Sequence, residues 1–250
     1  MNPASNFAKA ATFIRSAATQ GCVLAVLPEY HLTNWLPKDP HFRTLCADWH
    51  IYLRKYQALA KECNICIVPG TIVQTPSPSS DSDNSGLPPP LPSTPTKVSQ
   101  TDRNGDLENV AYFISNTGAI LGKYVKKNLW GPTERDHLTS SGRDVHPAFE
   151  TPLGKVGMLI CWDLAFPEAF RELVCQGVKM VIVPTFWTLS DCSDAGLRYN
   201  PSAEVMFLDS ALTARAFENT CGAWCKVFSH LPSSPQFVLR ANACCVYAPC

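Results

Sequence analysis

The sequence predicts an α/β fold whose strands are covered on both faces by other elements. Three observations carry that reading. The runs "CVLAVLPE" at 22–29, "ICIVPGTIV" at 65–73, "KVGMLIC" at 155–161 and "MVIVPTF" at 180–186 are almost wholly apolar, as strands buried on two sides are. Segments with helical apolar spacing lie between them. Residues 155–186 then read strand, helix, strand with short connections, a βαβ unit whose two strands should be parallel.

The elements follow in order. Phe7, Ala10, Ala11, Phe13, Ile14 and Ala17 recur at helical spacing between Asn6 and Thr19, and Gly21 stands just past that run. The first strand is closed by Pro28. A helix is expected from about Phe42 to Cys63, then the strand at 65–73. Residues 75–106 contain "TPSPSSDSDNSGLPPPLPSTPT", which has no apolar periodicity and buries too little surface to order itself. They read as a disordered surface insertion between two paired strands. "NVAYFISNTGAILGKYVKK" is a hairpin turning at Asn116-Thr117-Gly118, and 130–152 reads as a loop. The helix of the βαβ unit runs from about Pro167 to Gln176, with proline in its first turn and Gly177 past its end. A long helix spans about Ala203 to Glu218, and "CGAWCKVF" at 221–228 is a last strand candidate. Beyond Ser229 the pattern is weak. The 250 residues are taken as a single domain.

Composition narrows the function classes. Twenty-one basic and 21 acidic residues give zero formal net charge, so nothing favours nucleic acid or an anionic membrane as partner. No apolar run approaches the roughly 18 residues of a membrane span, and residues 1–15 lack the layout of a secretory signal. A cytoplasmic location is expected. Twelve cysteines in a chain this long do not imply a disulfide scaffold. Cys63 and Cys66 form one C-x-x-C, and Cys221 and Cys225 lie four apart, but neither pair is followed by a second pair or by histidines at zinc-site spacing. No structural metal is expected.

Two polar residues stand directly after apolar strands, Glu29 and Cys161, and a lysine, Lys126 or Lys127, ends the second hairpin strand. Ligands bind at the carboxyl ends of strands in α/β sheets. A thiol with an ordinary pKa of about 8.5 needs help to attack at neutral pH. A carboxylate can take its proton, and an ammonium can favour the thiolate and a developing oxyanion. That set suits acyl transfer at a carbonyl or nitrile carbon.

The ordered motifs "LPE" at 27–29, "GKYVKKNLWGPTE" at 122–134, "CWDLAFPE" at 161–168 and "RAFEN" at 215–219 resemble the nitrilase (carbon–nitrogen hydrolase) superfamily. The resemblance covers about residues 5–228, interrupted by 75–106. It implies a nitrilase-like αββα sandwich and a cofactor-free Glu–Lys–Cys triad. Glu29 matches the general base and Cys161 the nucleophile. Lys126 matches the lysine, two residues after the motif aromatic Tyr124, with Lys127 the runner-up. Glu134 matches a second glutamate that positions the lysine, and the Trp162 N–H is expected to share the oxyanion with Lys126. Asp163, Glu168, Arg171, Arg215 and Glu218 match supporting residues, and Trp35, Trp130, Phe186 and Trp187 are candidate pocket walls. The implied reaction is hydrolysis of a small amide or nitrile through a thioester-type intermediate, releasing ammonia or an amine, in a homodimer or higher homo-oligomer. Asp163 and the Phe-Pro-Glu after it favour amide over nitrile.

The sequence departs from the family pattern at several points. Asn128 stands where a histidine is common, and Ala165 where many amidase-type members carry arginine. The family's opening strand has no counterpart ahead of the first helix, and "HLPSSPQFVLRANACCVYAPC" at 230–250 matches no family segment. The chain is therefore expected to be truncated at both ends, with an atypical tail at about 229–250. The competing reading is a weakly active or non-catalytic paralogue acting as an interaction protein.

Overall fold

The computed structural model describes residues 2–76 and 107–226. It contains two β-sheets packed face to face with helices outside each. The first helix, α1 (Pro3–Thr19), is capped by the Asn2 side chain, which accepts from the Ser5 N–H at 3.0 Å. Strand β1 (Leu24–Val26) is shorter than the apolar run that contains it, because Pro28 has no N–H to continue the ladder.

Several boundaries differ from the sequence expectation. The helix expected over 42–63 is two helices, α2 (Phe42–Ala47) and α3 (Trp49–Cys63), broken at Asp48, a residue that competes poorly for helix interiors. The run at 65–73 is likewise two strands, β2 (Cys66–Val68) and β3 (Ile72–Gln74). Gly70 separates them with φ +61°, and a Cβ there would overlap the Pro28 carbonyl oxygen. The hairpin is β4 (Glu108–Ile114) and β5 (Ile120–Val125). The expected loop over 130–152 contains a helix, α4 (Gly131–His137), and a strand, β6 (Ala148–Thr151). Strand β7 (Gly154–Met158), helix α5 (Pro167–Cys175) and strand β8 (Met180–Pro184) form the βαβ unit with parallel strands, as expected. Short α6 (Asp194–Tyr199), long α7 (Ala203–Asn219) and β9 (Gly222–Lys226) complete the fold. Residues 77–106, most of the expected insertion, and the tail beyond 226 lie outside the described residues. The strands flanking that insertion, β3 and β4, do pair, antiparallel, from Ile72↔Val110 to Gln74↔Glu108.

In the first sheet, β1 pairs with β2 in parallel, β2 and β3 both pair with β4, and β5 takes β4's other edge. The second sheet runs β6-β7-β8-β9. Strand alternation sorts the first sheet's side chains into two cores. Ala25, Ile67, Val110, Tyr112 and Ile114 face α1 and α3 with Ile14, Leu53, Tyr56 and Leu59. Leu24, Val26, Val68, Ala111 and Phe113 face the second sheet's Val156, Met158, Val181 and Val183. The same core continues to Phe170 and Leu173 of α5 and to Leu208 and Ala211 of α7. The layers are therefore α, β, β, α. Among the described residues, no helix is long and apolar enough to cross a membrane.

Candidate active site

Glu29 follows β1, Lys126 follows β5, Cys161 follows β7 and Phe186 lies two residues past β8. All four stand at carboxyl ends of strands, the first two on one sheet and the last two on the other. The structure brings the sequence-predicted Glu29, Lys126 and Glu134 into one buried cluster. The Lys126 Nζ donates to Glu29 Oε1 at 2.9 Å and to Glu134 Oε1 at 2.8 Å. Lys126 is wholly buried, whereas Lys127 is partly exposed. Cys161 is near enough to Glu29 for each to shift the other's pKa. The two are further tied through one residue: the Phe186 N–H donates to Glu29 Oε2 at 3.0 Å, and the Cys161 thiol donates to the Phe186 carbonyl at 3.3 Å.

The backbone at Cys161 explains why the thiol is presented there. Cys161 has φ +47°, a conformation costly for a residue with a side chain, and it opens a 3₁₀ turn over Cys161–Ala165. Asp163, fully buried, holds that turn. Its Oδ2 accepts the Ile160 N–H at 2.9 Å and the Tyr124 hydroxyl at 2.7 Å. Its Oδ1 accepts both the backbone and side-chain N–H groups of Asn128, at 2.9 and 2.8 Å. Asn128 therefore works as a clamp between the end of β5 and the cysteine turn. The Trp162 ring packs on Trp187 and Phe207, with centroids 5.6 and 6.2 Å away. Arg215 donates to the Leu164 and Ala165 carbonyls at 3.3 and 3.4 Å and pairs with Glu218, and Arg171 lies 3.8 Å from Glu218. These contacts brace the back of the turn and do not reach Cys161.

Burial and charge set the protonation pattern. Burial raises the Glu29 pKa; the Lys126 ammonium pulls it down and the Glu134 carboxylate adds to the rise, leaving it above the usual carboxylate value. Burial alone would lower Lys126, but attraction to Glu29 and Glu134 outweighs it, so the amine stays protonated. Burial, reinforced by the Glu29 charge and opposed by Lys126, pushes the Cys161 thiol well up. In the resting site the thiol holds its proton beside a carboxylate that is a stronger base than an exposed one.

Sequence reasoning missed two members of this cluster. Tyr30, at φ +59°, donates its hydroxyl to Glu134 Oε1 at 2.6 Å. Asn109, fully buried on β4, donates its Nδ2 to Glu29 Oε1 at 2.9 Å. A cavity opens onto Cys161 and Glu134. Its walls include the expected Trp35, Trp130, Phe186 and Trp187, together with Tyr30 and Asp191.

An αββα sandwich with a carboxylate–ammonium cluster beside a strand-end thiol is the class that fold and geometry define. The chain belongs to the carbon–nitrogen hydrolase family, whose model matches residues 1–234. It is 25% identical over 193 residues to the deaminated glutathione amidase of Mus musculus, covering 74% of this chain and 52% of that protein. It is 26% identical over 199 residues to the omega-amidase of Homo sapiens, covering 74% and 59%. The chain thus spans about half the length of these curated relatives. Among solved structures it resembles an amidase from Nesterenkonia sp., with TM-score 0.61 at 20% identity over 91% of this chain and 71% of that one. It also resembles a carbon–nitrogen hydrolase from Helicobacter pylori, with TM-score 0.68 at 18% identity over 90% and 69%. These likenesses share the αββα fold.

Proposed function

We propose that this chain hydrolyses a small primary amide, with Cys161 as nucleophile, Glu29 as general base and Lys126 as the electrostatic partner of the oxyanion. The observation that carries this reading is the contact set of Glu29, which meets the Lys126 ammonium on one oxygen and, through Phe186 on the other, is tied to the Cys161 thiol. Glu29 takes the thiol proton as the sulfur adds to the amide carbon. The C=O pair moves onto oxygen, where the Lys126 ammonium and the Trp162 N–H stabilise it. Collapse re-forms the carbonyl and breaks the C–N bond, and the proton held by Glu29 leaves with ammonia. Glu29 then deprotonates a water that attacks the thioester, and the released thiolate recovers a proton as the acid departs. Glu134 and Tyr30 hold Lys126 throughout. The amidase names of the relatives support amide over nitrile.

Ammonia release from a panel of small amides and nitriles tests this, with Cys161→Ala in parallel. The wild type should release ammonia from amides and the variant should not. Equal silence of two folded proteins overturns the proposal.

A further inference from the structure

Five of the cavity's walls are aromatic: Tyr30, Trp35, Trp130, Phe186 and Trp187. Tyr30 and Trp35 are stacked with centroids 4.8 Å apart. Trp187 is fixed by donating its indole N–H to Glu204 Oε2 at 2.6 Å and by packing on Phe207. The charges are equally one-sided. Among the described lining residues there are two carboxylates, Glu134 and Asp191, and no arginine or lysine. The nearest ammonium, that of Lys126, is already held by two carboxylates. Asp191 is itself placed firmly. Its Oδ2 accepts the Thr188 N–H at 2.9 Å and its Oδ1 the Thr188 hydroxyl at 2.7 Å, and each oxygen keeps a lone pair for another donor.

Resting on the amide reading above, we propose that the cavity takes amides whose acyl group is apolar or cationic and turns away anionic ones, with Asp191 as the specificity-determining residue. Aromatic faces attract both apolar groups and cations. A substrate carboxylate would enter a largely aromatic cavity with no free counter-ion among the described lining residues and two carboxylates in the walls, which disfavours it.

The test uses three matched amides that differ only at the far end: pentanamide, gamma-aminobutyramide and the monoamide of glutaric acid. Their binding to the full-length Cys161→Ala protein is followed by tryptophan fluorescence, since Trp35, Trp130 and Trp187 line the cavity. The first two should bind about tenfold or more tightly than the third. Adding Asp191→Asn should bring the cationic and anionic amides to within about threefold, as should high salt in the Asp191 protein. Equal binding of pentanamide and the glutaric monoamide overturns the inference. So does a charge order that Asp191→Asn, with an unchanged melt, leaves intact. Binding is read without turnover, so the two proposals fail separately. A wild type that releases no ammonia but shows this charge order loses only the hydrolase reading. A wild type that hydrolyses amides without the order loses only this one.

Discussion

Replacing Glu134 by glutamine keeps the side-chain shape and removes one charge from the cluster around Lys126. The carboxylate receives three hydrogen bonds: from Lys126 at 2.8 Å, from the Tyr30 hydroxyl at 2.6 Å and from the Trp130 N–H at 2.7 Å. If the new amide oxygen keeps Lys126 and Tyr30, its NH₂ faces the Trp130 N–H, donor against donor. Leaving that part-buried N–H facing a second donor costs about 1–3 kcal/mol, and exchanging a charge-assisted bond for a neutral one on Lys126 costs about 1.5–2 kcal/mol more. A loss of about 3–5 kcal/mol corresponds to a melting point lower by roughly 6–20 °C in a chain of this size. Lys126 is then held by one carboxylate where there were two, and a displacement of the order of 1 Å is worth about a hundredfold in rate. Thermal unfolding followed by circular dichroism and kcat/KM for ammonia release read the two effects. A Glu134→Gln protein that melts within about 2 °C of wild type and stays within about threefold of its kcat/KM would refute the three-bond account of Glu134.

Two further outcomes are expected. Asn109→Leu removes a donor from Glu29 Oε1 and also a buried Asn109 Oδ1 that has no partner among the described residues. Stability should change little, while the acidic limb of the pH–rate profile moves up by about one unit, because the donor favours the charged carboxylate. An unmoved profile with a lowered melting point would make Asn109 purely structural. His31, bonded to the Tyr56 hydroxyl at 2.7 Å, has its pKa lowered by burial from 6.5 to about 4. Its folded pKa lies below its unfolded one, so its contribution is full above pH 6.5 and is lost as pH falls toward 4, by up to about 3 kcal/mol. Melting points of wild type and His31→Gln across that window should converge at the acid end; parallel curves would contradict this.

The strand-end residues were legible because each ends an apolar run with a single polar side chain. Glu29 and Cys161 needed no partner to be noticed, only to be believed. The choice of Lys126 over Lys127 rested on the family motif, since adjacent lysines at a strand end look alike until one is buried. Tyr30 and Asn109 were illegible for different reasons. A tyrosine in a turn carries no signal of where a positive φ aims it, and an asparagine beginning a strand looks like an edge residue until that strand is central. Helix α4 escaped because Glu134 is its one buried residue, so it has no apolar stripe to read. Its signal was the proline at its first turn with an acidic residue just after. The break at Asp48 and the Gly70 turn fell inside runs whose apolar pattern continues across them, and pattern alone does not register a local change in backbone direction.

Phe186 stands where the two sheets meet over the site, its N–H on a carboxylate from one and its carbonyl on the thiol from the other. The first sheet brings a carboxylate and an ammonium, the second a thiol, and they meet across the seam between the sheets. On the hydrolase proposal above, reactivity is a property of the docked pair of sheets. Before the sheets dock, Cys161 is one thiol among the chain's twelve; on that proposal, docking is what gives it a base.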